Sequence, residues 1–150
     1  MTECGLELIC PLPWKQTDGG RSKYFKGKDA GDCVTRAIAI AADLDYKYVY
    51  DKCAEIEYKR TGKRSARNGV LTQDPLFKQM MRDLGFYWTA TMKIGSGCKV
   101  HLRPNELPSG RLVCNLSKHS VAVIEGVVYD THDCTRGGTR CVYGYWRLGK

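Results

Sequence analysis

The sequence predicts an α+β protein with N-terminal helices packed on a mostly antiparallel C-terminal sheet. Up to about residue 85, apolar residues recur at helical spacing between capping residues. The later segments are short, rich in β-branched and aromatic residues, and bounded by turns. Helices followed by antiparallel strands are typical of this class. The 150 residues fit a single domain, which we assign to residues 1–150.

The first helix is predicted to begin at Cys33. Asp32 precedes it and is a residue type that often caps helix N-termini. In the segment that follows, four apolar residues recur at i, i+3, i+4 and i+7, the spacing of a buried helix face. These residues are Val34, Ala37, Ile38 and Ala41. We therefore expect a short, alanine-rich helix around which other elements pack closely.

Two further helices are predicted before the strands. One extends from about residue 46 to residue 60, and the other from about residue 74 to residue 84. The latter has Pro75 in its first turn and Gly85 just after its end, the preferred positions of these residues at helix termini. Residues 1–30 are predicted to be mostly loop, because they contain prolines and an Asp-Gly-Gly turn.

Six strands are predicted after the helices, at residues 86–92, 99–102, 111–116, 119–124, 127–130 and 140–146. A two-residue loop at Glu125-Gly126 would join the fourth and fifth strands in a hairpin. In that register His119 and Asp130 lie on one face as diagonal neighbours. The same face carries three apolar residues, Val121, Val123 and Val128. We expect this face to pack against the helices; a three-residue loop would break the register.

Composition excludes several classes of protein. Hydrophobic residues make up 43% of the chain and charged residues 27%, which excludes wholesale disorder, collagen and coiled coil. The longest weakly polar stretch, residues 34–42, is too short to cross a bilayer, so we expect no membrane association. The first 14 residues lack a basic segment and contain Glu3 and Glu7, which makes them a poor signal peptide. We therefore expect a cytoplasmic protein.

The net charge of +8 favours contact with nucleic acid or another anion, although a solvated basic surface explains it equally well. The densest basic run is at residues 59–67. A second basic stretch, residues 21–28, also contains Tyr24 and Phe25, whose rings could stack on bases. Both stretches are candidates for an anion-binding surface.

Eight cysteines are present, and no two of them form a CxxC pair. Without a secretory signal we expect reduced thiols rather than a disulfide framework. A structural zinc site remains an alternative, with candidate ligands His132, Cys134 and Cys141 and either Cys98 or Cys114. The spacing of these residues is weak evidence for zinc, so we expect neither a metal nor a cofactor.

Three residues form a candidate catalytic site. The N-terminus of a helix carries about half a positive charge and free N–H groups, which would stabilise a thiolate at Cys33. His119 opens a predicted strand, and Asp130 would hold its second ring nitrogen, as the base of a thiol nucleophile requires. His132 and Asp133 are the fallback members if the hairpin register is shifted by one residue. A buried core cysteine and a turn-forming aspartate are the structural alternatives.

Two segments resemble papain-like cysteine peptidases. Residues 31–41, GDCVTRAIAIA, look like the nucleophile helix of this superfamily, and residues 118–130, KHSVAVIEGVVYD, look like its histidine and acid strands. The order Cys, His, Asp is shared with C39-like and transglutaminase-like enzymes. The resemblance implies that Cys33 is the nucleophile, His119 the general base and acid, and Asp130 the orienting acid.

The chain departs from the superfamily at the oxyanion donor. Papain-like peptidases usually have a glutamine about six residues before the cysteine, where this chain has Gly27. Gln16 and Asn115 are the candidate replacements. Over most of its length the chain more closely resembles uncharacterised bacterial and phage proteins, a resemblance that brings no established activity. If the chain is phage-encoded, its expected location is the host cytoplasm.

The resulting hypothesis is a papain-like hydrolase, a peptidase, isopeptidase or acyl transferase, that acts on a protein or peptide through an acyl-thioester. The alternative is a catalytically weak or inactive papain-like binding module of a phage or bacterium. Such a module would use its basic surface to hold nucleic acid or a host protein.

Overall fold

The computed structural model describes residues 10–26, 31–66, 69–93 and 95–149. Within these ranges the chain forms three α-helices: α1 (Cys33–Ala42), α2 (Tyr46–Thr61) and α3 (Pro75–Asp83). It also forms the strands β1 (Trp14–Gln16), β2 (Phe86–Ala90), β3 (Arg111–Leu116), β4 (His119–Ile124), β5 (Val127–Asp130) and β6 (Gly144–Leu148). The strands make one sheet in the order β1-β5-β4-β3-β6-β2, in which the β1–β5 pair is parallel and the other pairs are antiparallel. The α+β class is therefore confirmed.

The helix predictions agree with the structure except at one cap. Asp45 and Asp74 precede α2 and α3 as capping residues, and their carboxylates accept the backbone N–H groups of Tyr48 and Leu76. Asp32 precedes α1 as predicted, but its side chain makes no capping hydrogen bond. Its carboxylate is instead bound by other side chains, which hold it in the site described below.

The β4–β5 hairpin has the predicted register. Ala122 pairs with Tyr129, and Ile124 pairs with Val127 across a two-residue loop. Glu125 and Gly126 both have positive φ, 48° and 77°, as the tight turn preferred in two-residue hairpins requires. The register puts His119 at the start of β4 and Asp130 at the end of β5, so both lie at the end of the hairpin away from the turn.

The sheet separates two apolar cores. The first lies between the helices and one face of the sheet, where Val113 and Ala122 pack against α1. The second lies on the opposite face and includes the valines of the hairpin, Val121, Val123 and Val128. The prediction that this valine face packs on the helices was therefore wrong. The β4 residues that alternate with these valines face the helices.

Three predictions about the remaining strands need correction. β1 was not predicted and pairs with β5 along the sheet edge. The predicted strand at residues 99–102 makes only an isolated bridge between His101 and Cys141. The last strand begins at Gly144 rather than at residue 140 and extends to Leu148, because its partners are β2 and β3.

The expectation of reduced thiols fails for at least one pair. Cys98 and Cys141 form a disulfide with a Cα–Cα distance of 5.9 Å. The bridge between His101 and Cys141, and a hydrogen bond from the Val142 N–H to the Val100 carbonyl, bring the two segments together. Among the described residues, no helix is long and apolar enough to cross a membrane.

Candidate active site

The structure brings the three predicted site residues together. Cys33 is the first residue of α1, His119 the first of β4, and Asp130 the last of β5. The His119 ring and the Cys33 thiol interact, and each shifts the pKa of the other. Nε2 of His119 lies 2.6 Å from Oδ2 of Asp130.

Asp130 is held on both of its oxygens. It is almost fully buried, and the Thr131 backbone N–H donates to its Oδ1 at 2.7 Å. An Arg36 guanidinium nitrogen lies 3.6 Å from the same oxygen. Burial disfavours the charged carboxylate, but the hydrogen bond and positive charge of His119 outweigh it and lower the pKa of Asp130. The acid is therefore ionised and fixed in orientation.

The electrostatics favour a charged pair at Cys33 and His119. Burial acts to raise the pKa of Cys33, but the hydrogen bond and charge of His119 and the Ser120 backbone N–H bring it below its ordinary value. Burial acts to lower the pKa of His119, but Asp130 and the two neighbouring thiols raise it well above the usual histidine range. A thiolate facing an imidazolium is the state that these shifts support.

A second thiol touches the same histidine. Cys134 is buried and interacts with both His119 and Asp130. Unlike Cys33, it has a raised pKa, because burial outweighs the contribution of His119. Burial likewise raises the pKa values of Cys53 and Cys114. Of the four free thiols that the structure describes, Cys33 is thus the one whose pKa is lowered.

A buried ion-pair network around Asp32 also holds Asp130 in place. Asp32, 2% exposed, accepts hydrogen bonds from Arg36 and, at 2.5 Å, from the Tyr46 hydroxyl. Its Oδ2 also lies 3.4 Å from Nε of Arg21. Since Arg36 reaches Asp32 with one nitrogen and Asp130 with the other, it ties the N-terminus of α1 to the end of β5. Sequence reasoning missed this role of Arg36, although its i+4 spacing from Asp32 was a usable signal.

Cys33 and His119 line a cleft of about 590 Å³ between the helices and the sheet. Asn115 also lines this cleft, so it can reach a substrate. Gln16 is absent from the cleft lining; its amide lies on β1, 3.5 Å from the Thr131 carbonyl. Gln73 is a further amide in the cleft wall that sequence reasoning did not single out. Gly27, at the usual glutamine position, lies outside the described residues.

The metal alternatives are not favoured by this geometry. Donor atoms of His119, Asp130 and His132 lie within 4.8 Å of one another. The direct 2.6 Å contact of the first two is a hydrogen bond, and it is shorter than the separation of about 3.3 Å between two ligands of a tetrahedral zinc ion with bonds of about 2 Å. The disulfide engages Cys98 and Cys141, which removes both from the predicted zinc set.

The fallback members of the triad occupy other roles. Asp133 accepts hydrogen bonds from the backbone N–H and the hydroxyl of Thr135, at 2.9 and 2.7 Å. The His132 ring lies beside the His119 ring, with 5.5 Å between centroids, and is exposed. Asp130 is thus the carboxylate that engages His119.

The candidate anion-binding surface is only partly exposed. Arg21 is buried beside Asp32, and the Tyr24 hydroxyl donates to Asp45. Phe25 packs against Tyr46 and Tyr50. Lys28 and Arg67 lie outside the described residues. Nucleic-acid binding stays a prediction, which salt-dependent binding would test.

Comparisons with protein-family models, curated proteins and solved structures found no match to this chain. In structural terms, the fold and the site define an α+β protein in which Cys33 and His119 line a cleft and His119 is held by the buried Asp130.

Proposed function

We propose that the protein is a papain-like cysteine hydrolase or acyl transferase acting through an acyl-thioester. One observation carries the proposal: Cys33, a thiol with a lowered pKa at the start of α1, interacts with a histidine that is held by a buried aspartate. A nucleophile, a base and an orienting acid in this sequence of contacts are what nucleophilic catalysis by cysteine requires. Their opening into a cleft gives a carbonyl substrate access to the sulfur.

The reaction follows from the charged pair. The Cys33 thiolate attacks the substrate carbonyl carbon, and the oxygen takes the negative charge. The bond to the leaving group then breaks as the His119 imidazolium gives that group its proton, which leaves an acyl-thioester. Water or an amine then attacks the thioester, and the neutral His119 takes a proton from the attacking molecule. Release of the acyl product breaks the carbon–sulfur bond and restores thiolate and imidazolium.

Two kinds of donor serve the oxyanion. The first N–H groups of α1 have no partner within the helix, and they lie at the positive end of its dipole. The Asn115 side-chain amide, which lines the cleft, is the second donor. Loss of one such donor typically costs about 10²–10³ in rate, so Asn115→Ala should slow acylation within that range without slowing alkylation of the thiol.

Acyl transfer from p-nitrophenyl acetate tests the proposal without a known substrate. We expect a burst of p-nitrophenol and an acetyl group on Cys33, identified by peptide mass spectrometry. Cys33→Ala should abolish the burst, and His119→Ala should slow it at least tenfold, since the thiolate loses its charge partner. Cys53→Ala is the matched control, because it removes a buried helical thiol outside the cleft. Acetylation spread over other cysteines, or a burst that persists in Cys33→Ala, would overturn the proposal.

A further inference from the structure

A smaller pocket opens from the wall of the cleft. It has a volume of about 210 Å³ and shares four lining residues with the cleft, namely Thr72, Gln73, Trp88 and Asn115. The rest of its lining consists of Lys78 and Arg82 from α3, Tyr87 from β2 and Trp146 from β6. We refer to it as the side pocket. Because the two spaces share a wall, one molecule can occupy both the side pocket and the cleft that Cys33 lines.

The side pocket has an aromatic floor that a ligand could cover. Trp88 and Trp146 are paired across β2 and β6, and their ring centroids are 5.2 Å apart. Trp146 is buried, but Trp88 and Tyr87 are 44% and 51% exposed. Exposed aromatic surface next to a polar site is a common mark of a binding surface.

Gly144 determines where the Trp88 ring lies. A Cβ at this position would collide with the tip of the indole, so only glycine lets the ring lie against β6. Gly144 has an ordinary φ, since it is absent from the positive-φ positions. Contact with Trp88, rather than backbone conformation, therefore accounts for a glycine here.

The side pocket is also positively charged. Lys78 and Arg82 are spaced i, i+4 and so lie on the same face of α3. None of the residues that line the pocket is acidic. Two cations beside a pair of aromatic rings tilted against each other, without a carboxylate, complement a ligand that combines an aromatic ring with a negative charge.

We propose that the side pocket binds an aromatic residue carrying or adjoining a carboxylate, in the part of the substrate next to the attacked carbonyl. The ring would lie on Trp88, and the carboxylate would pair with Lys78 and Arg82. The placement of this aromatic residue next to the attacked carbonyl rests on the proposed function. Binding to the pocket itself does not depend on catalysis. The carboxylate could be a chain terminus or an acidic neighbour of the aromatic residue, and both have the same chemistry.

Directed alkylation of Cys33 tests the proposal. The probes are iodoacetyl-phenylalanine, its amide, the α-amide of iodoacetyl-phenylalanyl-glutamic acid, which keeps the side-chain carboxylate, and iodoacetyl-alanine. Each rate is divided by that of iodoacetamide. We expect the two probes that combine ring and carboxylate to react about tenfold faster than the alanine probe, and the neutral amide to lie between. A faster free acid indicates a terminal carboxylate, and a faster glutamyl probe indicates an acidic neighbour.

Two variants should remove this preference. Lys78→Gln/Arg82→Gln should bring the acidic probes to the rate of the neutral amide. Gly144→Ala should displace Trp88 and reduce the advantage of the aromatic ring. Lys52→Gln/Lys59→Gln is the charge-matched control, because both lysines lie on α2 and line neither the cleft nor the side pocket.

A second measurement separates the pocket from the thiol chemistry. In Cys33→Ala protein, N-acetylphenylalanine should shift the indole N–H resonances of Trp88 and Trp146 but not that of Trp14 on β1. If all probes react with Cys33 at one relative rate, or if these indole shifts are absent, the side-pocket proposal fails. If instead the wild-type Cys33 reacts with iodoacetamide at pH 6 no faster than an ordinary thiol, while the indole shifts occur and the probe preference remains, the catalytic proposal fails and the pocket stands.

Discussion

At the scale of single residues, Arg36 links the charge of the thiol to the architecture around it. Its guanidinium is almost fully buried and reaches two carboxylates, Asp32 and Asp130, that belong to different parts of the chain. Its positive charge also contributes to the lowered pKa of Cys33. A planar guanidinium can reach two separated carboxylates with different nitrogens, whereas a lysine ammonium offers all its donors from a single nitrogen. Arg36 is therefore a positioning residue for the acid.

This role predicts the effect of Arg36→Lys on thiol reactivity. The substitution keeps the charge but breaks the bridge, so Asp130 should hold His119 less firmly and the pKa of Cys33 should rise towards its ordinary value. Alkylation of Cys33 by iodoacetamide at pH 6 should fall several-fold, while the rate at pH 9 should change little. A proportional loss at both pH values would indicate a purely structural role.

Arg111→Met is the matched control for this experiment. Arg111 is half-buried and donates to the Ile40 and Ala41 carbonyls at the opposite end of the same helix. Its loss should lower stability without changing the pH profile of Cys33. If Arg111→Met changes the profile as Arg36→Lys does, the effect comes from displacement of α1 and not from the bridge.

Sequence reasoning found the centre of the site but not its surroundings. Cys33, His119 and Asp130 could be found because helix periodicity and hairpin register are local properties. Two of the partners of Asp32 could not, because Tyr46 and Arg21 meet it only after α2 and the loop following β1 pack on α1. Asp32 was predicted to cap the helix, yet its carboxylate makes no capping hydrogen bond and is bound by Arg36, Tyr46 and Arg21 instead.

At the scale of elements, the β4–β5 turn determines where the histidine and the acid meet. Gly126 has a φ of 77°, and no atom outside the adjacent residues lies within 4 Å of the place where a Cβ would be. A side chain added there would therefore cause no clash and would cost only backbone strain. Gly126→Val should lower the free energy of unfolding by about 1–2 kcal/mol, the cost of the left-handed region for such a residue. Urea denaturation measures this loss.

Asparagine at the same position provides the control. Asparagine tolerates the left-handed region, so Gly126→Asn should stay close to the parent protein in stability. If both variants keep full stability, the turn does not hold the register. If both lose it equally, a contact of this loop rather than its conformation is responsible.

The strands show where local patterns stop being informative. β3, β4 and β5 were predicted to the residue because apolar and β-branched side chains fill them between clear turns. β1 has the sequence Trp-Lys-Gln and forms because β5 offers it a free edge, which no local pattern reveals. The two faces of the hairpin were exchanged for a similar reason. Both faces are buried, so alternation could not tell which one meets the helices.

At the scale of the whole molecule, the sheet is covered on both faces by different means. Helices cover one face. The core on the other face is covered by segments with little regular secondary structure, such as those around Leu102, Cys134 and Val142. The Cys98–Cys141 disulfide ties two of these segments together across 43 positions of the chain. Disulfides are usual in oxidising compartments, so the cytoplasmic location remains a prediction.

Replacement of this disulfide should lower global stability and leave the thiol chemistry intact. Closure of a loop of this length restricts the unfolded chain by ~4 kcal/mol in the chain-entropy description. Cys98→Ser/Cys141→Ser should therefore reduce the free energy of unfolding by roughly 2–4 kcal/mol. The double variant is preferable to a reductant, because Cys10 is also disulfide-bonded and would be affected too.

Cys33 alkylation at pH 6 in the double variant should match that of the parent, since neither Cys98 nor Cys141 lines the cleft. Unchanged stability would mean that packing alone holds these segments, and a loss of Cys33 reactivity would mean that the far side of the sheet supports the site.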